Sequence, residues 1–337
     1  MSQVLSAAVI GLGSMGANHV RVLSDLAGVE LVGAVDTDEG RVARATRGRT
    51  IAGYREVEDL LARERLDIAS VVVPTGLHEE VALKVISAGV SVLVEKPIAA
   101  TSAGGRRIDA AARANGVKLA VGHIERFNPA IKELKARLND GQGGRILQVH
   151  ARRVGPLPSR IRDVGVIHDL APHDIDVMRY LLGSEVEGVY AESQYRINTE
   201  HEDTLLGLLH FETGVVGVLD INWLTPRKER TIRVLCEGGM FIADYTSQTL
   251  EFHASFAAEP REGVIASVTE GPMTRYPIAS REPLRAELES FRDAVASGGE
   301  VAVTAADGLA AISIAEALAT SGSTRATTTV VPAQDRS

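Results

Sequence analysis

The sequence has a single cysteine, Cys236, among 337 residues. One cysteine cannot form an intramolecular disulfide, and it cannot supply the several thiolates of a cysteine-based zinc site. We therefore expect a protein of a reducing compartment, the cytoplasm. The nine histidines have no spacing typical of metal ligands, so the sequence predicts no bound metal.

The chain also lacks a long apolar run and an excess of basic residues. No stretch reaches the ~18 apolar residues that a membrane-spanning helix needs, and residues 1–13 lack the basic start and cleavage site of a signal peptide. The formal net charge of −8 argues against nucleic acid or another polyanion as a partner. The proportions of 45% hydrophobic and 24% charged residues are those of a globular protein with buried cores.

The pattern of apolar residues changes along the chain. Near-continuous runs such as residues 68–73 alternate with amphipathic segments, which predicts a doubly wound α/β fold with a parallel sheet. After Pro129, strands with alternating apolar residues are flanked by helices, which predicts a mainly antiparallel, open-faced sheet. The length predicts two domains, because one domain takes roughly 100–200 residues. We place a Rossmann domain at 1–122 and an α+β domain for substrate binding and oligomerisation at 123–337.

A glycine motif directly follows the first predicted strand. Gly11, Gly13 and Gly16 have the Gly-x-Gly-x-x-Gly spacing of a dinucleotide-binding turn. These glycines allow a tight turn, the close approach of a pyrophosphate, and close packing of the next helix. Ser14 and Met15 begin that helix, whose free N–H groups and dipole would bind the phosphates.

An acidic residue closes the second predicted strand. Asp36 lies twenty residues after Gly16, the position from which a carboxylate binds the ribose hydroxyls of adenosine. Its charge would repel the 2′-phosphate of NADP, and Thr37 stands where an arginine would favour that phosphate. The sequence therefore predicts NAD as the cofactor and disfavours NADP.

Three further blocks resemble one enzyme family. Residues 71–78 (VVVPTGLH), 94–97 (VEKP) and 169–176 (DLAPHDID) resemble, in order and spacing, the glucose–fructose oxidoreductase / inositol dehydrogenase family. The resemblance extends along nearly the whole chain and implies a nicotinamide-dependent oxidoreductase acting on a CH–OH group. It also implies that a group of residues after the fourth and fifth strands contacts the cofactor: Pro74, Thr75, His78, Glu95 and Lys96.

A narrower resemblance concerns the substrate. Residues 121–129, 158–165 and 222–226 are similar to the branch of this family that contains UDP-N-acetylglucosamine 3-dehydrogenases. That branch oxidises the C3 hydroxyl of a UDP-activated amino sugar to a ketone. The resemblance implies that Arg126 and Asn128 contact cofactor or substrate.

Two arginines near the predicted catalytic helix suit a diphosphate. Arg160 and Arg162 lie in a loop after two prolines, and planar guanidinium groups bind phosphate with two hydrogen bonds. We expect them to bind the diphosphate of a nucleotide sugar. A solvated basic loop is the alternative.

The oxidation of a secondary alcohol needs a base for the hydroxyl proton, and histidine titrates near neutral pH. A helix predicted over residues 166–182 places Asp169 and His173 four residues apart on one face, so the carboxylate can orient the imidazole. Lys96 ends a sheet strand, where doubly wound folds bind ligands, and its ammonium would stabilise the developing alkoxide. The family resemblance gives these three catalytic residues the same roles. The alternative for Asp169 and His173 is an ordinary surface pair.

Two other functions stay open on the sequence. A dehydrogenase of a free cyclitol or sugar, such as inositol, would not need Arg160 and Arg162. A non-catalytic nucleotide-binding regulator would be expected to lack part of the catalytic set, but Lys96, Asp169 and His173 are all present.

Apolar residues on both faces of one predicted strand indicate that copies of the chain associate. Leu205 and Leu209 point to one face of the strand at 203–211, and Leu206 and Leu208 point to the other. Only one face can pack inside the domain, and an exposed apolar patch usually marks an interface. The sequence therefore predicts a homodimer or homotetramer, and the family resemblance implies sheet-to-sheet dimers.

Overall fold

The computed structural model describes residues 4–157, 164–197, 200–257 and 268–330. Contacts divide the chain into two units. The described residues of the first unit fall within 4–124 and 282–312, and those of the second fall within 125–281 and 313–330.

The first unit is built on a sheet of six parallel strands, with the spatial order β3–β2–β1–β4–β5–β6. The strand order reverses between β1 and β4, which is where doubly wound sheets bind ligands at the carboxyl ends of their strands. The strands are β1 (Leu5–Ile10), β2 (Val29–Val35), β3 (Ala52–Tyr54), β4 (Ile68–Val71), β5 (Ser91–Glu95) and β6 (Leu119–Gly122). The connecting helices are α1 (Ser14–Leu23), α2 (Glu39–Thr46), α3 (Val57–Arg63), α4 (His78–Ser87) and α5 (Ser102–Asn115).

The second unit is built on a nine-stranded sheet with the order β14–β13–β12–β11–β7–β10–β9–β8–β15. Strands β7 and β10 run parallel, and the other neighbouring pairs are antiparallel. The elements after β6 are α6 (Pro129–Asn139), β7 (Ile146–Pro156), α7 (Val166–Asp169), α8 (Ala171–Leu182), β8 (Val186–Gln194), β9 (Thr204–Phe211), β10 (Val216–Asn222), β11 (Leu224–Cys236), β12 (Gly239–Asp244), β13 (Thr249–Ala257), β14 (Val268–Tyr276), α9 (Pro283–Ser297), α10 (Ala305–Thr324) and β15 (Thr328–Thr329). The predicted fold class, a Rossmann sheet followed by a mainly antiparallel sheet, is confirmed.

One C-terminal helix contributes to the core of the first unit. Leu284, Leu288 and Phe291 of α9 belong to the same buried cluster as Ala7 and Val9 of β1. Because this apolar stripe is buried against the Rossmann core, residues 282–312 group with the first unit. The predicted boundary between residues 122 and 123 stays a prediction.

The helix predicted over residues 166–182 is wrong in one respect, because it forms two segments, α7 and α8, that meet at Leu170. Pro172 lies in the first turn of α8. Proline has no N–H to donate and its ring clashes with the carbonyl four residues earlier, so a continuous helix is broken there. Asp169 therefore ends one segment and His173 lies near the start of the next.

Within the described ranges, no helix combines the length and the apolarity that crossing a membrane requires.

Candidate functional site

The turn after β1 has the geometry of a dinucleotide cradle. Gly11 has a φ of +94°, and a Cβ there would lie 2.5 Å from the carbonyl oxygen of Val72. A Cβ on Gly16 would overlap the carbonyl oxygen of Gly11, whereas a Cβ on Gly13 would meet no atom within 4 Å. Two of the glycines are thus required by packing inside the unit, and the third leaves an open surface on the turn.

The N-terminus of α1 is available to an anion. Gly13 is the residue before the helix, and no side chain caps the helix with a hydrogen bond. The first amides of a helix have no partner within the helix, so those around Ser14 and Met15 can bind phosphate oxygens at the positive end of the helix dipole. Together with the open face of Gly13, this arrangement fits the pyrophosphate of NAD.

Asp36 is held beside the cradle. Its Oδ2 accepts a hydrogen bond of 2.7 Å from the backbone N–H of Leu12, and its Oδ1 accepts one of 2.9 Å from the N–H of Asp38. The Nη1 of Arg41 lies 3.5 Å from Oδ2 of Asp36. The carboxylate is therefore fixed next to the glycine turn, with one guanidinium at its side.

We expect Asp36→Ala to weaken NAD binding by about 10- to 150-fold, the equivalent of one hydrogen bond to a charged group. NADP binding should weaken less or improve, because the repulsion of its 2′-phosphate is removed and Arg41 remains. Titration of both cofactors against wild type and variant measures the ratio of their dissociation constants.

Two further variants separate the effect of the Asp36 charge from the effect of Arg41. Asp36→Asn removes the charge and keeps an oxygen that can accept a hydrogen bond, and Asp36→Ala/Arg41→Ala should lose any gain in NADP affinity. An unchanged ratio of NAD to NADP affinity in Asp36→Ala would remove the proposed role of the carboxylate in cofactor choice.

Lys96 directly follows β5 and is half-buried. The preceding residue, Glu95, is buried, and its Oε2 accepts a hydrogen bond of 3.1 Å from the backbone N–H of Lys96. The Oε1 of Glu95 lies 3.2 Å from Nε2 of His19, a fully buried residue of α1. Burial by itself would raise the pKa of Glu95, but the contact with His19 and the charge of Lys96 outweigh it and lower that pKa. The ionised carboxylate of Glu95 thus connects His19 of α1 to the backbone N–H of Lys96.

His78 is buried and braces two loops. Its Nδ1 lies 2.7 Å from the carbonyl oxygen of Pro97, and its Nε2 lies 2.9 Å from that of Val73. Burial lowers the pKa of His78, although both carbonyl contacts act in the opposite direction. Because both ring nitrogens face backbone carbonyl oxygens, the predicted contribution of His78 to cofactor binding would act through the two loops that it contacts. One of those loops contains Pro74 and Thr75.

The second unit carries the predicted base. His173 and Asp169 are both half-buried, and they lie on either side of the junction between α7 and α8. The N–H of His173 donates to the carbonyl of Leu170 at 3.3 Å, which fixes its backbone in the first turn of α8. The orientation of His173 by Asp169 stays a prediction.

The structure gives Arg126 and Asn128 partners inside the second unit. Arg126 donates from Nε and Nη2 to the two carboxylate oxygens of Asp176, at 2.8 and 2.6 Å. The side chain of Asn128 accepts from the N–H of Ala130 and donates to the carbonyl of Tyr245. Both residues are buried and have these partners; their contact with cofactor or substrate stays a prediction.

A second buried ion pair was not predicted from the sequence. Arg153 is 1% exposed and donates from Nε and Nη2 to the carboxylate of Asp174, at 2.7 and 3.0 Å. Its Nη1 donates to Oε1 of Glu125 at 3.1 Å, and its guanidinium lies over the ring of Tyr245. Asp174 directly follows His173, so this pair fixes the helix that carries the predicted base.

Two predicted site residues, Arg160 and Arg162, lie outside the described residues. Across the part of the chain that is described, no group of three or more histidine, cysteine, aspartate or glutamate side chains could hold a metal ion.

Two family models match the chain. A model of an oxidoreductase family with an NAD-binding Rossmann fold matches residues 5–123, within the first unit. A model of the GFO/IDH/MocA C-terminal domain matches residues 131–242, within the second unit.

Two of the individual relatives differ in the substrate that their names give. Inositol 2-dehydrogenase 2 of Saccharopolyspora erythraea is 32% identical over an alignment of 333 residues, which covers 96% of this chain and 94% of that enzyme. A UDP-N-acetylglucosamine 3-dehydrogenase of Acidithiobacillus ferrooxidans is 28% identical over 289 residues, which are 86% of this chain and 88% of that enzyme. A solved structure of a UDP-N-acetylglucosamine 3-dehydrogenase from the same organism superposes with a TM-score of 0.83, at 26% identity, and the match covers 94% of this chain and 97% of the other.

Proposed function

Because this chain belongs to the GFO/IDH/MocA family of oxidoreductases, we propose that it is an NAD-dependent dehydrogenase of a UDP-activated amino sugar. The hydroxyl that it oxidises to a ketone is that at C3, as in UDP-N-acetylglucosamine. The observation that supports this substrate is the similarity, over most of both chains, to a UDP-N-acetylglucosamine 3-dehydrogenase in sequence and in fold.

Membership of the family confirms three predictions made from the sequence. The predicted resemblance is correct, the chain is an oxidoreductase of CH–OH groups, and its Rossmann domain is of the NAD-binding type. The expected cytoplasmic location stays a prediction.

In the proposed reaction, His173 accepts the proton of the substrate hydroxyl, and Asp169 holds the imidazole and stabilises its protonated form. The ammonium of Lys96 stabilises the negative charge that develops on the substrate oxygen. NAD⁺, when bound, would supply the hydride acceptor for the C–H bond that breaks as the ketone forms. The glycine turn would hold the cofactor by its pyrophosphate, and Asp36 would hold it by its adenosine ribose.

The second candidate is a dehydrogenase of a free cyclitol, and the 32% identity to an inositol 2-dehydrogenase favours it. The two candidates separate in one experiment. The protein is incubated with NAD⁺ and, in turn, with UDP-hexoses, UDP-N-acetylhexosamines, free hexoses and inositols, and NADH is followed by its absorbance. Turnover of UDP-N-acetylglucosamine is the expected result, and turnover of inositol without any UDP-sugar would overturn the proposal.

Self-association through the open face of the second sheet is part of the proposal. Leu206 and Leu208 of β9 are 53% and 38% exposed, and Leu235 of β11 is 40% exposed. In contrast, Leu205 and Leu209 are fully buried on the face that carries the helices. Leu206 and Leu208 lie on the same strand, whereas β10 and β7 separate them from Leu235. Exposed apolar side chains of this kind are what subunits bury against each other.

We therefore expect light scattering to give a mass at least twice the chain mass of 35.8 kDa. Leu206→Glu/Leu208→Glu should shift the protein towards the monomer, because burying two charged carboxylates in an apolar interface is unfavourable. Ile197, which is 74% exposed and outside the strands, provides the control Ile197→Glu, which should leave the mass unchanged. A wild-type monomer at every concentration would contradict this prediction.

A further inference from the structure

Two basic side chains of β11, Lys228 and Arg230, lie on the face of the second sheet that carries the helices. Arg230 is the direct neighbour of the buried Arg153 in the antiparallel pairing of β11 with β7. Ile232 and Val234, further along β11, are fully buried. Because side chains alternate along a strand, Lys228 and Arg230 point to the same face as these two residues.

Neither of these cations has a direct hydrogen-bond or ion-pair partner in the described part of the chain. Among the described residues, no hydrogen bond or ion pair involves the side chain of Lys228 or of Arg230, while the nearby Arg153 is bound to Asp174 and Glu125. Burial and then the charge of Arg153 lower the pKa of Arg230. Arg230 in turn is the main cause of the lowered pKa of Lys228. Lys228 and Arg230 therefore lack a direct partner for an ion pair, although the carboxylates of Glu125, Asp174 and Asp169 act on Arg230 from beyond ion-pair distance.

The side chains of Lys228 and Arg230 lie on the side of the second unit that carries the predicted base. Arg230 interacts electrostatically with Asp169, Asp174 and Glu125, and Asp174 is adjacent to His173 in the chain. The half-buried guanidinium of Arg230 lies next to that of Arg153 and has no direct partner of its own. Desolvated charges need partners, so a bound anion would stabilise this arrangement. An anion bound here would therefore have a favourable site close to the proposed reaction.

We propose that Lys228 and Arg230 bind the phosphate groups of the substrate, a nucleoside diphosphate sugar. This inference rests on the proposed function for its substrate class. Arg230 would supply the planar fork that binds two phosphate oxygens at once, and Lys228 would supply a compact point charge. A neutral cyclitol or free sugar would gain nothing from either residue.

The first experiment titrates UDP into the protein in saturating NAD⁺, so that the cofactor cradle cannot bind the probe. Arg230→Gln and Lys228→Gln should each weaken UDP binding by about 10- to 150-fold, the loss expected for hydrogen bonds to charged groups. Arg233→Gln is the matched control, because Arg233 lies on the same strand, is exposed, and points to the opposite face. Equal UDP affinity in all four proteins, or no UDP binding by the wild type, would overturn the inference.

Thermal unfolding without ligand separates a binding role from a structural one. Removal of an unpaired cation relieves repulsion, so Arg230→Gln should keep or raise the Tm, and UDP should raise the Tm of the wild type more than that of the variant. Arg230→Lys should have part of the UDP affinity that Arg230→Gln loses, because lysine keeps the positive charge but lacks the planar guanidinium. A lower Tm for Arg230→Gln, with unchanged UDP affinity, would make Arg230 a structural residue.

Turnover distinguishes failure of this inference from failure of the proposed function. If the wild type oxidises inositol and no UDP-sugar, yet UDP binds through Arg230, the anion site stands and the substrate proposal fails. If UDP-sugar turnover occurs and Arg230→Gln leaves its KM unchanged, the substrate proposal stands and the anion site fails.

Discussion

The variant His173→Ala is expected to lower kcat by about 10²–10⁴-fold, the usual contribution of a general base, and to leave NAD binding nearly unchanged. The residues that fit the cofactor, from the glycine turn to Asp36, belong to the first unit, whereas His173 lies in the first turn of α8 in the second. Loss of the imidazole therefore removes the proton acceptor without touching the cradle. Steady-state kinetics with the substrate that the wild type oxidises, and a separate NAD titration, measure the two effects.

The pH dependence gives an independent test of the same role. A general base must be deprotonated to accept a proton, so kcat/KM of the wild type should rise with pH through the pKa of the base. His173→Ala should lose that limb of the profile. His168→Ala is the matched control, because His168 is also half-buried and belongs to α7, and it should keep the limb. Near-normal turnover by His173→Ala together with an inactive His168→Ala would assign the base to His168.

The cofactor cradle could be predicted because it depends on local features. A positive φ at Gly11 and the contact between Gly16 and the carbonyl of Gly11 follow from a turn that spans a few residues, so the spacing of the glycines identifies it. Asp36 ends the strand next to that turn, and its position also follows from chain order. The break at Leu170 also had a local signal, since Pro172 cannot continue a helix from α7. The prediction of one helix followed the regular spacing of apolar residues over 166–182 and did not use that signal.

The buried charges of the second unit had no such signal. Arg153 and Asp174 are 21 positions apart and Arg126 and Asp176 are 50 apart, so the sequence alone does not show that they pair. The predicted contact of Arg126 with the ligand comes from the resemblance alone and stays a prediction. Lys228 and Arg230 alternate along a strand, which predicts a common face, but only the pairing of β11 with β7 shows that this face is the one with Arg153.

Two Arg–Asp pairs fix α8 from within the second unit, one through Asp174 and one through Asp176. Burial opposes the charge of Arg153, but Asp174 and Glu125 outweigh it and raise the pKa of Arg153 above its ordinary value. A buried pair of this kind adds little net stability compared with apolar residues of the same size. Loss of one partner, however, leaves the other charge desolvated and unpaired.

We therefore expect Arg153→Met to lower the free energy of unfolding by about 3–5 kcal/mol, because Asp174 and Glu125 lose their cation in the core. Arg153→Met/Asp174→Leu should recover most of that loss, since it removes both buried charges of the pair. Arg145→Met is the surface control: Arg145 pairs with Glu237 at 3.0 Å, but the two side chains are 76% and 52% exposed, so the change should stay below about 1 kcal/mol. Urea unfolding of the wild type, these three variants and the single variant Asp174→Leu measures these differences. A loss in the double variant as large as the sum of the two single losses would mean that the two charges do not stabilise each other, and that the packing of Arg153 against Tyr245 holds α8 instead.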